Sequence, residues 1–388
     1  MEKRNVPKLR FKGFEDEWEL QKLSDVFKLS SGGTPNRNNL EFWNGDIPWI
    51  TTGEVDFNII KDSKEKITKS AIEKSSAKIF PRGTILIAMY GQGKTRGKSA
   101  ILGIEASTNQ ACAALLSKKK INNFFTYQYI SGEYENIRLM CNSGGQKNLS
   151  LAILKEFKFG MPSLEEQNKI SNFLSNVDNI IEEQEGKVKD LEQYKKGMMQ
   201  KIFKQEVRFR DENGGEYTEW EEKKLGDITD IGTGSNDLQD KTENGKYPFF
   251  VRSANIEKID KYTFDGEAIL IPGDGNIGQI YHYINGKFAY HQRVYKISDF
   301  NTNVLGKYIY FYMNKFFKKE ALKNSVKATV DSLRLPTLTN MIIQLPCLEE
   351  QTKIVNFLSN IDKIIEEENK KLEDLRLWKK GLLQQMFV

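Results

Sequence analysis

Two glycine-rich segments, and the arginine, lysine, glutamine and asparagine side chains around them, are where this chain could do chemistry. Gly273-Asp274-Gly275-Asn276-Ile277-Gly278 fits the GxGxxG spacing with which a backbone turn approaches a dinucleotide pyrophosphate. That use requires a helix to open at the last glycine, whereas Gln279-Ile280-Tyr281-His282-Tyr283-Ile284 alternates as a strand does. A hairpin turn is the expected form. Gly91-Gln92-Gly93-Lys94-Thr95-Arg96-Gly97-Lys98-Ser99 misses the phosphate-loop spacing because Gln92, not glycine, stands five residues before Gly97. Neither segment is expected to hold a nucleotide.

Groups for catalysis are scarce. His282 and His291 are the only histidines, and the three cysteines, Cys112, Cys141 and Cys347, are far apart in sequence. A histidine-centred triad, a structural zinc site and a disulfide framework all lack the residues they need. No metal, no cofactor and no catalytic residue are expected on this chain.

The same segments suit base-edge recognition. Arginine and lysine pair with guanine, glutamine and asparagine with adenine, and an acidic side chain can accept from cytosine. The first glycine-rich hairpin would present Gln92, Lys94, Arg96 and Lys98, and the second Asp274 and Asn276. Further candidates are Asn109 and Gln110, the late loops with Gln146 and Lys147 and with Lys327 to Arg334, and Arg252, His291, Gln292 and Arg293. Any one of them, taken singly, can equally be a surface polar group or a phosphate contact. Tyr90 and Tyr290 could stack or contact backbone, or simply close strand ends.

The elements that must position these residues are written twice. Residues 162–203 align without gaps to 346–387, with 25 of 42 positions identical. Ahead of each block stands a second repeated piece: Leu9-Arg10-Phe11 to Trp18, and Val207-Arg208-Phe209 to Trp220. The offset is 202 residues at the tryptophans and 184 at Pro162 and Pro346, so the second intervening block is 18 residues shorter.

Each 42-residue block reads as one long helix. Phe173, Leu174, Val177, Ile180, Ile181 and Leu191 fall on one stripe at three- and four-residue steps, and Phe357, Leu358, Ile361, Ile364, Ile365, Leu375 and Trp378 repeat it. Ser163 followed by Glu166 predicts a capping box; Cys347 in the second copy would cap poorly. Such a helix is about 60 Å long and, alone, would expose its stripe to water. The sibling helix is the expected partner, in a coiled-coil-like pair, with docking on the adjacent variable block as the alternative.

The intervening blocks, with strand-like runs such as Gly83 to Ala88 and Ala268 to Ile271, look mixed α/β, and their sequences diverge. Positive charge concentrates there. Residues 23–161 carry 19 basic and 12 acidic side chains and 225–345 carry 15 and 13, against 6 and 8 in 162–203. Such a division suits phosphate-facing blocks joined by partner-facing connectors. No apolar run approaches a membrane span, and the opening Met1-Glu2-Lys3-Arg4-Asn5 has no signal-peptide core, so an intracellular protein is expected.

These features together resemble the specificity subunits of type I restriction-modification systems. The resemblance covers essentially the whole chain and rests on an ordered set: Gly32-Gly33-Thr34-Pro35, then Gly45-Asp46-Ile47-Pro48-Trp49, the hairpin after Ile87, Thr108-Asn109-Gln110, and the proline with Leu-Glu-Glu-Gln that opens each helix. The second half departs from it, with Gly232-Thr233-Gly234-Ser235 and Tyr290-His291-Gln292 in place of two landmarks.

The resemblance implies an α+β chain with a pseudo-two-fold internal repeat: two globular target-recognition domains joined by two long helices that pack as an antiparallel spacer. The expected divisions are an opening segment 1–22, a recognition domain 23–161, a helical region 162–203, a connector 204–224, a second domain 225–345 and a second helical region 346–388. It further implies double-stranded DNA with a bipartite site, two modification (methyltransferase) subunits, and two restriction (translocase and nuclease) subunits as partners. S-adenosylmethionine, ATP and magnesium would reside on those partners, in a bacterial cytoplasm where the chain meets the nucleoid through DNA. The alternative from a different class is a coiled-coil scaffold whose variable domains bind proteins.

Overall fold

The computed structural model describes residues 5–91, 93–140, 148–275, 277–323 and 332–388. They form two compact units, Met1–Glu185 with Lys370–Val388, and Gly186–Asn369. The long helices Leu164–Phe203 and Leu348–Met386 each contribute residues to both.

In the first unit a five-stranded sheet runs in the order Phe27–Ser31, Cys112–Ser117, Ile85–Ala88, Ser99–Leu102, Ile59–Ile60. Ile85–Ala88 is buried on both faces, which is why it reads as a continuous apolar run instead of an alternation. A second sheet orders Glu65–Ile67, Trp43–Ile50, Ala106–Thr108, Ile79–Phe80. The glycine-rich residues 93–97 lie in the turn between the antiparallel strands Ile85–Ala88 and Ser99–Leu102.

In the second unit one six-stranded sheet runs Asp230–Thr233, Val294–Ser298, Phe264–Pro272, His282–Tyr290, Tyr247–Phe250, Ile256–Ile259. The GxGxxG segment follows Phe264–Pro272 and leads into its antiparallel neighbour His282–Tyr290, so a strand and not a helix comes after it. It is a hairpin connection, as its alternation predicts.

Each variable block is closed at its base in the same way. Glu19–Lys22 pairs antiparallel with Lys158–Met161, and Glu221–Lys224 with Ile342–Leu345, in matching register: Glu19 faces Met161 and Glu221 faces Leu345. Leu23 N–H donates to the Phe157 carbonyl, and Leu225 N–H to that of Met341, both at 2.9 Å. The chain therefore enters and leaves each block side by side.

The helices pack inside each unit. In the first, Ile170, Leu174 and Val177 share a core with Trp18, Phe125, Phe159, Leu382 and Phe387. Residues 164–185 run antiparallel to 370–386 there, with Lys379 on Asp178 at 2.5 Å and Arg376 on Glu185 at 2.6 Å. In the second, Ile202, Phe203, Ile354 and Leu358 join Trp220, Tyr308 and Phe317. The antiparallel sense recurs there, Lys187 meeting Glu368 at 3.0 Å and Lys195 meeting Asp362. Both expected partners are used: the stripe faces the sibling helix and the domain beside it.

Within the stripe, Leu174, Val177, Leu358 and Ile361 are buried, while Phe173, Ile181, Leu191, Phe357, Ile365 and Leu375 are half-buried. Ile180, Ile364 and Trp378 are exposed. The expected capping box forms only in half: the Glu166 N–H reaches Ser163 Oγ at 3.3 Å, but its carboxylate turns to Arg10 at 2.7 Å. The arginine of the opening segment outcompetes a lone backbone N–H for that charge.

Candidate nucleic-acid interface

Among the described residues, a single backbone hub in each unit joins strands next to the candidate reading segments. In the first, Met89 N–H donates to the Ala111 carbonyl at 2.8 Å and the Met89 carbonyl accepts from Leu149 N–H at 3.1 Å. Met89, just before the glycine-rich turn, is thereby a neighbour of the Asn109-Gln110 corner and of Leu149. In the second unit Gly273 does the same: its N–H donates to Arg293 at 2.8 Å and its carbonyl accepts from Leu333 at 2.7 Å. Asn109 N–H donates to Ile50 at 3.0 Å, and His291 N–H to Phe250 at 2.9 Å.

The landmarks of the first half are structural parts of this frame. Gly33 N–H donates to the Thr108 carbonyl at 2.9 Å and Trp49 Nε1 donates to the Gly33 carbonyl at 3.0 Å. A Cβ on Gly32 would sit 2.0 Å from the Thr108 carbonyl oxygen; one on Gly234 would sit 2.1 Å from that of Tyr290. The divergent Gly232-Thr233-Gly234-Ser235 thus keeps the one glycine the close approach requires. The equivalence of Tyr290-His291-Gln292 with Thr108-Asn109-Gln110 follows from the same contacts.

On this common frame the side chains differ. In the first unit Lys94 is exposed, and its turn is held from behind by Tyr134, whose hydroxyl donates to the Lys94 carbonyl at 2.6 Å, and by Arg138, whose Nη2 donates to Gly93 at 2.7 Å. Lys98 is bound to Asp56 at 2.5 Å over the Phe57 ring, and Arg96 is half-buried. Asn109 Oδ1 accepts from Ala111 N–H at 3.1 Å, which caps the corner, while exposed Gln110 accepts from the Thr34 hydroxyl. Gln92, Gln146 and Lys147 lie outside the described residues.

In the second unit Asp274 Oδ2 accepts from Arg252 Nη1 at 3.3 Å and from Arg293 Nη1 at 3.0 Å. His291 is buried; its Nδ1 accepts from Arg293 N–H at 2.9 Å, and its Nε2 lies 3.4 Å from Asp237 Oδ1. Gln292 Nε2 donates to Asp237 Oδ2 at 2.9 Å. The Leu238 N–H, then the His291 ring, hold the Asp237 carboxyl below the usual carboxylate range. Arg334 is exposed, two residues beyond Ser332, which bridges Asp274. Asn276 and Lys327 lie outside the described residues.

Asp237 was missing from the sequence-based candidates. Its one signal is its place just after Gly234-Ser235, in the loop that crosses the His291 corner. Also unanticipated is Arg37, bonded to Glu65 and lying 3.9 Å over the Trp43 ring. The bond to Glu65 raises the arginine's pKa and lowers that of the glutamate.

Burial pushes the Cys112 thiol up to about 12, which removes the thiolate a nucleophile needs. Among the described residues no three His, Cys, Asp or Glu side chains gather as a metal site, and no helix is long and apolar enough to cross a membrane.

Two unlike side-chain clusters on one repeated backbone frame define a two-domain recognition protein, and comparison with known proteins gives the class. The type I restriction modification DNA specificity domain matches this chain twice, over residues 15–193 and 217–376. The chain belongs to that family and is a specificity subunit, not a catalytic one. It is 31% identical over 264 residues to the type I restriction enzyme MjaIX specificity subunit of Methanocaldococcus jannaschii, a match spanning 63% of this chain and 60% of that protein. The MjaVIII specificity subunit of the same organism is 25% identical across 95% of this chain and 91% of its own length. The crystal structure of the type I restriction-modification S subunit from M. genitalium shares the fold, with a TM-score of 0.61 at 17% identity over 99% of both chains.

Proposed function

We propose that each unit reads one half of a bipartite, asymmetric DNA site, that the paired helices set the spacer between the halves, and that they dock two methyltransferase subunits. Adenine methylation, and cleavage by two restriction subunits, are then directed to that site by partners carrying S-adenosylmethionine, ATP and magnesium, in the cytoplasm. The observation that carries this reading is the conserved hub. Met89 and Gly273 make the same two backbone bonds while the side chains around them share almost nothing. A frame kept constant beneath divergent loops is what two different half-sites require.

Salt titration of the assembled complex tests it. Counterion release makes DNA affinity fall with a log-log slope of about −0.9 for each phosphate neutralised. A specific duplex should bind at least about a thousandfold tighter than an unrelated one of equal length, and both should weaken steeply with salt. Equal, salt-insensitive affinity for the two duplexes would favour a protein-binding scaffold instead.

A further inference from the structure

We propose that Asp274 is a positioning residue that holds Arg252 and Arg293 together as the guanine-reading pair of the second recognition domain. The inference rests on the DNA-reading function above and assigns its chemistry in one half-site.

The geometry is specific to this unit. Asp274 is 13% exposed, and a single oxygen, Oδ2, takes an Nη1 donor from each arginine. The guanidinium side chains are themselves 48% and 64% exposed, so each is fixed at one end and open at the other. A guanidinium has five N–H donors; Asp274 uses the Nη1 end, and the rest of the planar fork remains to face guanine O6 and N7. Two arginines this close repel one another, and the carboxylate between them removes that cost while restricting both side chains before DNA arrives.

Asp274 is itself fixed by backbone. It follows the Gly273 hub, and it bridges Ser332. His291 fixes the root of Arg293 by accepting its N–H. The frame-equivalent positions in the first unit are Tyr90 for Asp274 and Ala111 for Arg293, and Thr52 stands two residues past Ile50 as Arg252 does past Phe250. The whole triad is therefore absent from the other reader. This is the expected behaviour of side chains that set specificity, not of side chains that hold the fold.

The test uses the chain assembled with its methyltransferase subunits, the methylated site of the unaltered complex, and duplexes in which each base pair is replaced singly. Wild-type complex should lose about ten- to a hundredfold in affinity at one or two guanines in the half read by the second domain. In Arg293→Ala and Arg252→Ala the same replacements should cost almost nothing, while every position in the other half keeps its full cost. Asp274→Asn leaves both arginines in place and should reduce discrimination at those guanines by about tenfold, with an unchanged melting temperature. Uniform weakening across all duplexes would make the arginines phosphate contacts and overturn the assignment, as would unchanged discrimination. If the wild-type complex itself showed no base preference, the DNA-reading function would fail before any variant was examined, and this assignment with it.

Discussion

Replacing Glu350 with alanine should destabilise the second unit by about 3–5 kcal/mol, the range for stranding one member of a buried ion pair. Glu350 is fully buried and receives three donors: Arg208 Nε at 3.2 Å, Arg208 Nη2 at 2.8 Å and Trp220 Nε1 at 2.9 Å. Its removal leaves the Arg208 guanidinium with only the Tyr217 and Thr218 carbonyls, at 3.3 and 2.7 Å, and the buried indole N–H with no acceptor. A guanidinium keeps its charge at any physiological pH, so Arg208 cannot escape the penalty by deprotonating. The repeat supplies an internal control. Glu166 holds Arg10 at 2.7 and 2.9 Å, but Trp18 Nε1, although buried, makes no hydrogen bond to it. Glu166→Ala should therefore cost the first unit roughly 1–2 kcal/mol less than Glu350→Ala costs the second. Hydrogen exchange resolves the two: protection should fall in Phe264–Pro272 and His282–Tyr290 for Glu350→Ala, and in Ile85–Ala88 and Cys112–Ser117 for Glu166→Ala. Equal losses, or a loss below about 1 kcal/mol at Glu350, would contradict this account of the clamp.

The second large effect concerns assembly. Ile180 and Trp378 are exposed in the first unit, at 46% each, and their repeat partners Ile364 and Tyr194 are exposed in the second. Each unit thus presents one isoleucine and one aromatic ring from the same two positions of the repeat. Exposed apolar side chains recurring in both copies are what two identical partner subunits would cover. The double variant Ile180→Glu with Trp378→Glu should leave the chain folded, and weaken one methyltransferase copy by about 4 kcal/mol or more, taking roughly 2 per central anchor. Mass measurement of the complex should then show one methyltransferase in place of the two proposed for wild type. Adding Tyr194→Glu and Ile364→Glu should remove the second. Retention of two copies by the fourfold variant would place the docking surface elsewhere.

These two cases show where sequence is informative and where it stops. The helices are legible because a stripe at three- and four-residue steps has one physical meaning, and the repeat doubles the signal. Periodicity marks Leu174 and Ile180 alike as apolar, however, and says nothing about which neighbour covers them. One is buried under the domain core, and the other faces solvent. The hairpin at 273–278 is legible because Tyr281 and Tyr283 alternate with Ile280, His282 and Ile284 across a glycine turn. The capping box is only half legible, since the competing Arg10 lies 156 residues from Glu166.

The recognition clusters follow the same rule. Segments around 90–98, 109–110, 252, 274 and 291–293 can be chosen by residue type and by position in the repeat. Their bonding cannot, because Asp274 meets Arg252 and Arg293 across 22 and 19 residues of intervening chain. Asp237 is the clearest omission: its role depends on a loop crossing the His291 corner, which only the fold reveals. Gly234 shows the converse, a landmark altered in sequence and intact in geometry.

If one frame carries two independent readers, exchange of a single block should alter one half-site alone. Residues 23–161 should be replaced by the corresponding block of another family member, whose opening and closing strands pair as Glu19–Lys22 and Lys158–Met161 do. Methylated adenines would then be mapped across the host genome. The expected result is a new bipartite site in which one half is changed and the other is identical to that of the parent. A site changed in both halves, or in neither, would contradict it.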